Sequence, residues 1–280
     1  MLDFQKFSCT RSWSPYGTNA DFHLHDHFEL YFFISGDVDY FVERVKYRLS
    51  FGDVLIFNNT ELHKPTFRSQ SPYERIVLNF DAAFAAQFSP PDLDLTACFT
   101  QRRRGEGNLI RMDTTHTREL FDLLRRLSTL QTGQAAGTGA VRLAVFLEIL
   151  VLVGRAFQNC EIQAAVDSHP LSGVMEYIDQ NLSADLGLDT LAAQFYLSKT
   201  YLCRLFKKYT GATIHSYILG KRISKAKRLL LAGENVTAAC HGAGFNDYAN
   251  FIRTFKRFTG LPPGVFKKEG EMVANSGNTW

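Results

Sequence analysis

The last third of this 280-residue chain repeats itself. The segment Tyr201-Leu-Cys-Arg-Leu-Phe-Lys-Lys-Tyr-Thr-Gly211 aligns with Asn250-Phe-Ile-Arg-Thr-Phe-Lys-Arg-Phe-Thr-Gly260 at an offset of 49 residues. Such a register implies two copies of one structural unit in tandem. In the first copy Leu188–Phe195 reads as a short helix, and Ser198 has the side chain to cap a second. On that second helix Leu202, Leu205, Phe206 and Tyr209 form an inward stripe at i, i+3, i+4, i+7, and Gly211 stops it. The second copy places a helix over Val236–Ala243, turns at Gly244-Phe245-Asn246 and restarts near Asp247. There Phe251, Phe255 and Phe258 point inward. Two helices joined by a tight turn, the second with a basic outer face, make a helix-turn-helix, here over 188–209 and again over 236–258.

Charge follows the repeat. Residues 198–257 hold 12 Lys and Arg against two acidic residues, Glu234 and Asp247, whereas the whole chain carries only +3. A positive block confined to one domain points to a polyanion. The plainer alternative is a helical bundle whose solvated faces happen to be basic. Recurrence of the same Arg and the same basic pair in both units favours DNA. An α-helix fits the major groove, and Arg can donate two hydrogen bonds to guanine. Lys207, Lys208, Lys256 and Arg257, one turn further on, suit phosphates, which set register and affinity.

These residues carry a resemblance. Tyr177-Ile178, Asn181, Leu191-Ala192, Ser198, Tyr201-Leu202, Arg204 to Lys208, Tyr217, Arg222, Ala226, Leu229-Leu230, Gly244-Phe245, Phe251, Arg253, Phe255-Lys256, Thr259-Gly260 and Pro263 resemble the AraC/XylS family of bacterial transcriptional regulators. The likeness spans about 100 residues. It implies two units joined by a long helix near Ile214–Leu231 that enter successive major grooves of double-stranded DNA. Carried over, the base-facing positions are Thr200, Cys203 and Arg204 in the first unit, and Ala249, Asn250 and Arg253 in the second. Ser198, Lys207, Lys208, Lys256 and Arg257 are the phosphate contacts. This sequence departs at Gly187, where a Ser or Thr cap is usual, at Ala239 and Ala243, usually larger aliphatics, and at Ala249. The departures imply a second unit that packs more loosely and reads less sequence.

Upstream the texture changes. Residues 22–80 read as short strands, Glu29–Ile34, Tyr40–Val42, Val54–Phe57 and Arg75–Phe80, separated by turn signals, as in a small antiparallel barrel or sandwich. His23-Leu-His25, Glu29 and Gly36, then Gly52 with His63 eleven residues on, resemble the cupin-like sensor domain of the same family over roughly residues 10–100. His23, His25, Glu29, Tyr31 and His63 are therefore the effector-pocket candidates. Phe33, Tyr40 and Phe57 either line that cavity or form plain core. His23, His25, Glu29 and His63 are the side chains a divalent cation would use, with His27 able to replace either of the first two histidines. Asn58, Thr60 and Phe67 break the second half of the signature, and the reading is, in preference to a metal, a polar patch that either lines a cavity for a small organic effector or is satisfied within the fold.

Helical period appears at 117–131 and again, apolar nearly all round, at Val141–Phe157, which implies burial against both its own domain and a second subunit. The run Arg102-Arg103-Arg104 reads as a solvated loop. The expected class is α+β multidomain. Residues 1–113 form a cupin-like effector-sensing β domain, 114–158 a helical dimerisation segment, 159–170 a linker and 171–269 the DNA-binding domain. Residues 270–280 form a disordered tail. The five cysteines lie far apart without a C-x-x-C pair, and neither a secretory leader nor a membrane span is evident, so a cytoplasmic, nucleoid-associated site of action is expected. Promoter half-sites, a second copy of the chain and RNA polymerase are the expected partners. No Ser/His/Asp set, P-loop or dinucleotide fingerprint suggests an enzyme. Two rivals stand: a metal-dependent cupin enzyme with an appended helical domain, and an architectural DNA binder without effector control.

Overall fold

In the computed structural model, which describes residues 6–17, 21–103, 105–130, 136–159 and 170–268, alternation along the strands sorts side chains into layers. The strands are β1 (Phe7–Ser14), β2 (Phe28–Ser35), β3 (Val38–Val42), β4 (Val45–Arg48), β5 (Val54–Phe57), β6 (His63–Phe67) and β7 (Tyr73–Phe80). Two short helices, α1 (Ala82–Ala86) and α2 (Ala97–Thr100), precede β8 (Leu109–Ile110). All pairings are antiparallel, in a five-stranded sheet of order β1-β7-β2-β5-β8 and a three-stranded sheet of order β4-β3-β6.

The period of two explains how β2 is buried on both faces. Phe28, Leu30 and Phe32 join a core with helices α3 (Thr114–Leu130) and α4 (Thr138–Asn159), whereas Tyr31 and Phe33 face the smaller sheet. In β3, Val38, Tyr40 and Val42 point inward and Phe41 points outward, where the C-terminal helices cover it. The N-terminal half is thus a helix layer, a large sheet and a small sheet.

The C-terminal half is all helix: α5 (Ser172–Gln180), α6 (Leu188–Gln194), α7 (Lys199–Thr210), α8 (Ile214–Leu231), α9 (Val236–Gly242) and α10 (Tyr248–Thr259). Both units form as the repeat predicts. Ser198 Oγ accepts from Tyr201 N at 3.3 Å and Asp247 Oδ1 from Asn250 N at 2.9 Å, which caps α7 and α10 alike. Gly211 (φ 72°) and Gly260 (φ 82°) close both helices in the left-handed conformation. The missing cap at Gly187 is replaced from outside the helix: Asp185 accepts from the Gly187 amide at 2.9 Å and from the Thr190 hydroxyl at 2.7 Å. Ala239, Ala243, Phe251 and Phe255 are fully buried, so the second unit closes over its small residues, contrary to the expected looseness. Each such Phe contributes about 1.5–3 kcal/mol by burial.

Several expectations are corrected. Strands β1, β4, β6 and β8 are additional to the predicted four. Arg102 is not solvated: its side chain is buried against Glu61, donating from Nη1 to Oε1 at 2.6 Å and from Nη2 to Oε2. The basic block is not wholly outward either, because Lys221 and Lys227 on α8 are buried against the sensor half. The predicted linker lies almost entirely outside the described residues, as does the predicted tail.

Candidate nucleic-acid interface and sensor cavity

Helices α7 and α10 each bury an apolar stripe and turn the opposite face outward. Thr200, Arg204, Ala249, Asn250 and Arg253 are exposed, and Cys203 is half-buried among them. The Arg204 guanidinium lies 5.6 Å from the Tyr201 ring centroid, a stacking contact that leaves its donors outward. Thr254 Oγ1 donates to Asn250 Oδ1 at 3.4 Å. Lys207, Lys208, Lys256 and Arg257 occupy the last turns of the two helices, where cations complement the helix dipole, and all four are exposed. Ser198 is exposed and already engaged as a cap. Between the units runs α8, about 27 Å long at 1.5 Å per residue. Arg222 ties it to the α5–α6 connection by donating to the carbonyls of Leu182 (2.9 Å) and Ala184 (3.0 Å).

In the sensor half, a cavity of about 450 Å³ opens between the two sheets. Its polar wall comprises His23, Glu29, Arg75 and Asn79, and its aromatic wall includes Tyr31 and Tyr40. The Tyr31 and Tyr73 hydroxyls meet at 2.6 Å, and the Arg75 guanidinium stacks 4.8 Å from the Tyr73 ring. Of the five predicted pocket residues, His23, Glu29 and Tyr31 line this space. His25 and His63 sit behind it: His63 is fully buried, its ring 4.1 Å from Phe57, and His25 Nε2 lies 3.2 Å from Glu29 Oε2. Arg75 and Asn79 escaped the sequence reading. The signal for them is their place on β7, whose register sets Asn79 opposite Glu29 and Arg75 opposite Phe33.

Burial governs the charges here. It pushes His63 well below the usual imidazole range, lowers His23, and takes His27 to about 4, the neighbouring imidazoles adding to the effect. Burial also opposes ionisation of Glu29, but the hydrogen bond and charge from His25 outweigh it and hold the carboxyl below its ordinary value. Burial raises Tyr31 and Tyr40 well above the phenol range. Among the described residues His25, His27 and Glu29 bring their ligand atoms within 4.8 Å of one another, so His27 stands where His23 or His63 was expected in a cation set. His25 Nδ1 donates to the His27 carbonyl at 2.8 Å, which fixes the ring with Nε2 facing Glu29.

Among the described residues no helix is long and apolar enough to cross a membrane. Comparisons with known proteins match both halves. Residues 8–145 fit a family model described as an AraC-like ligand binding domain, and residues 191–269 one described as a helix-turn-helix domain. An uncharacterized HTH-type transcriptional regulator from the cgkA 5' region of Pseudoalteromonas carrageenovora is 34% identical over 106 residues, 38% of this chain and 63% of that protein. The uncharacterized HTH-type transcriptional regulator YdeC of Bacillus subtilis is 23% identical over 88% of this chain and 85% of its own length. The regulatory protein PocR of Salmonella typhimurium is 29% identical over 34% of this chain, and the match spans only 32% of it. Among solved structures, ToxT of Vibrio cholerae bound to a naphthalenyl butenoic acid covers 96% of this chain and 99% of its own at 15% identity and a TM-score of 0.41. The DNA-binding domain of AdpA, in complex with a target DNA, covers 36% of this chain and 93% of its own at 26% identity and a TM-score of 0.35. With an AraC-like ligand-binding domain ahead of a helix-turn-helix domain, the chain belongs to the AraC/XylS family of DNA-binding transcriptional regulators.

Proposed function

We propose that the protein is an effector-responsive, sequence-specific regulator that binds promoter half-sites as a homodimer. In this reading Thr200, Cys203, Arg204, Ala249, Asn250 and Arg253 read bases. Ser198, Lys207, Lys208, Lys256 and Arg257 hold phosphates, and a small organic effector occupies the cavity bounded by His23, Glu29 and Tyr31. The observation that carries the reading is the shared placement of Arg204 and Arg253, 49 residues apart, on exposed faces of two helices that both start at a side-chain cap and end at a left-handed glycine. The cavity supports the effector: 450 Å³ lies within the usual range for small-molecule sites, and a few polar groups converge on an aromatic wall. The wide spacing of the cysteines accords with a cytoplasmic site of action.

Selection of binding sequences from a random duplex library tests the reading. Arg204→Ala should cost about 1–3 kcal/mol of affinity and relax preference at one base position, as for a lost bidentate contact. Lys208→Ala should weaken all sequences alike and flatten the salt dependence. An Arg204→Ala protein with unchanged affinity and base preference would remove α7 from the readers.

A further inference from the structure

Among the described residues three lysines are buried, Lys64, Lys221 and Lys227, and all three bridge the sensor half and the DNA-binding half. Lys64 on β6 donates to the Gly211 carbonyl at 2.9 Å, at the end of α7. Lys221 on α8 pairs with Glu43 of the β3–β4 turn and with Asp179 at 2.8 Å. Lys227, six residues further along α8, has a side chain with no exposed surface. Its ammonium meets three acceptors of the sensor half: the His25 carbonyl at 2.7 Å, the Asn59 carbonyl at 2.6 Å and Asp26 Oδ1 at 2.8 Å. Two of its protons are donated to the two carbonyls, and Asp26 supplies the counter-charge at ion-pair distance. The neighbouring Ser224 hydroxyl donates to the Thr60 carbonyl at 2.6 Å.

The position of this cage gives it a role. Two of its acceptors, the His25 carbonyl and the Asp26 carboxylate, belong to a seven-residue segment, 23–29, whose ends His23 and Glu29 form part of the cavity wall. Within the segment His25 Nδ1 donates to the His27 carbonyl, and its Nε2 faces Glu29 Oε2 at 3.2 Å. A group that engages Glu29 therefore competes for the His25 ring, whose Nδ1 holds the His27 carbonyl. Losing that bond loosens the 25–27 turn that carries the His25 carbonyl and the Asp26 carboxylate facing Lys227. Removing one partner from a fully buried ammonium is strongly destabilising, so the cage resists partial opening. On the other side stands α8, which joins the two recognition units.

We propose that Asp26 and Lys227 form the junction through which the sensor cavity positions α8, and with it the two recognition helices. This rests on the effector reading of the cavity and deepens it: the route from pocket to DNA runs directly through the 23–29 segment, not by way of α3 and α4. Lys227 is a positioning residue in this scheme and touches no DNA.

Hydrogen–deuterium exchange on the full chain, without added ligand or DNA, tests the junction. Far-UV circular dichroism establishes that each variant is folded. Asp26→Asn and Lys227→Met should each raise exchange across α8 about tenfold, within the 5–150-fold range of ordinary coupling. Glu29→Gln, which alters the cavity wall and leaves Lys227 untouched, should raise α8 exchange in the parent chain and add nothing in the Asp26→Asn background. If Asp26→Asn and Lys227→Met leave α8 unchanged, the junction does not hold the helix. If they loosen α8 while Glu29→Gln does not, or if Glu29→Gln and Asp26→Asn add independently, the cage is a structural staple and the coupling is refuted. A cavity that binds no small molecule, in a protein where Glu29→Gln still reaches α8, would defeat the effector reading alone.

Discussion

Arg102 shows how much a single side chain can carry in this fold. Its guanidinium forks onto Glu61 and also donates to the carbonyls of Cys98 (2.9 Å) and Ile56 (3.2 Å), while Glu61 accepts from the amides of Asn58 (3.0 Å) and Gly105 (3.1 Å). Arg102→Leu would leave that carboxylate buried without its cation. The expected loss of about 3–5 kcal/mol should appear as a lowered midpoint in denaturant unfolding. The histidines around Glu29 set a pH dependence. Burial keeps His23, His27 and His63 neutral below the pH at which an unfolded imidazole, near 6.5, takes a proton. From pH 6.5 down to about 4 the unfolded chain binds protons that the folded chain refuses, so stability falls as pH drops through that window. Glu29, held below its usual 4.5, adds to the loss at the acid end. Calorimetric midpoints from pH 7.5 to 4.5 should fall steadily, and His27→Gln should make the slope shallower. An unchanged slope in that variant would place the proton uptake elsewhere. The histidines and Glu29 stood out in the sequence, but the burial of Arg102 and Lys227 was not legible there, for one reason. A charge is worth burying only when its partner arrives, and the partners of Arg102 and Lys227 lie 41 and up to 202 residues away.

At the scale of elements the sequence was far more legible, because helices announce themselves locally. The period of 3.6, the caps at Ser198 and Asp247 and the stops at Gly211 and Gly260 lie within a few residues of what they control, so both recognition helices were placed within a residue or two. Strands β4, β6 and β8 were missed because their pairing energy comes from distant neighbours and their own patterns are short or polar. In β1 only Phe7 and Cys9 are buried on the core face, too few for an alternation to stand out. The turn of the second unit has a requirement of its own. Gly244 adopts φ +92°, and a Cβ there would lie 2.0 Å from the Leu182 carbonyl oxygen. Since that oxygen also accepts from Arg222, it cannot simply withdraw. Gly244→Ala should cost about 1–3 kcal/mol in backbone strain and unseat the connection between α5 and α6. Its thermal midpoint should fall, and base preference at the second half of each site should blur before the first. Equal blurring at both units would mean that Gly244 supports the domain as a whole.

At the scale of the molecule, the same helix pair that closes the sensor core leaves apolar surface uncovered. Helix α4 buries Val145, Phe146, Ile149, Leu150 and Val153 against the large sheet and α3, while Leu143, Leu147 and Val151, spaced by four, pack on the rim of that core and stay partly exposed along one edge. An apolar edge of that length on a surface helix is what a self-complementary two-fold contact uses. Because Lys64, Lys221 and Lys227 fasten each DNA-binding half to its own sensor, a dimer joined at α4 would present four recognition helices at a spacing set by the sensor halves. Affinity for two half-sites should then depend on their separation, with a period of one helical turn, about 10 base pairs. Replacing Leu147 and Val151 together by Glu should yield a monomer by light scattering. The same variant should bind a single half-site as the parent does and lose the preference for a paired site. If the parent chain is itself monomeric at micromolar concentration, with and without DNA, α4 is not the dimer interface and its exposed edge serves another contact.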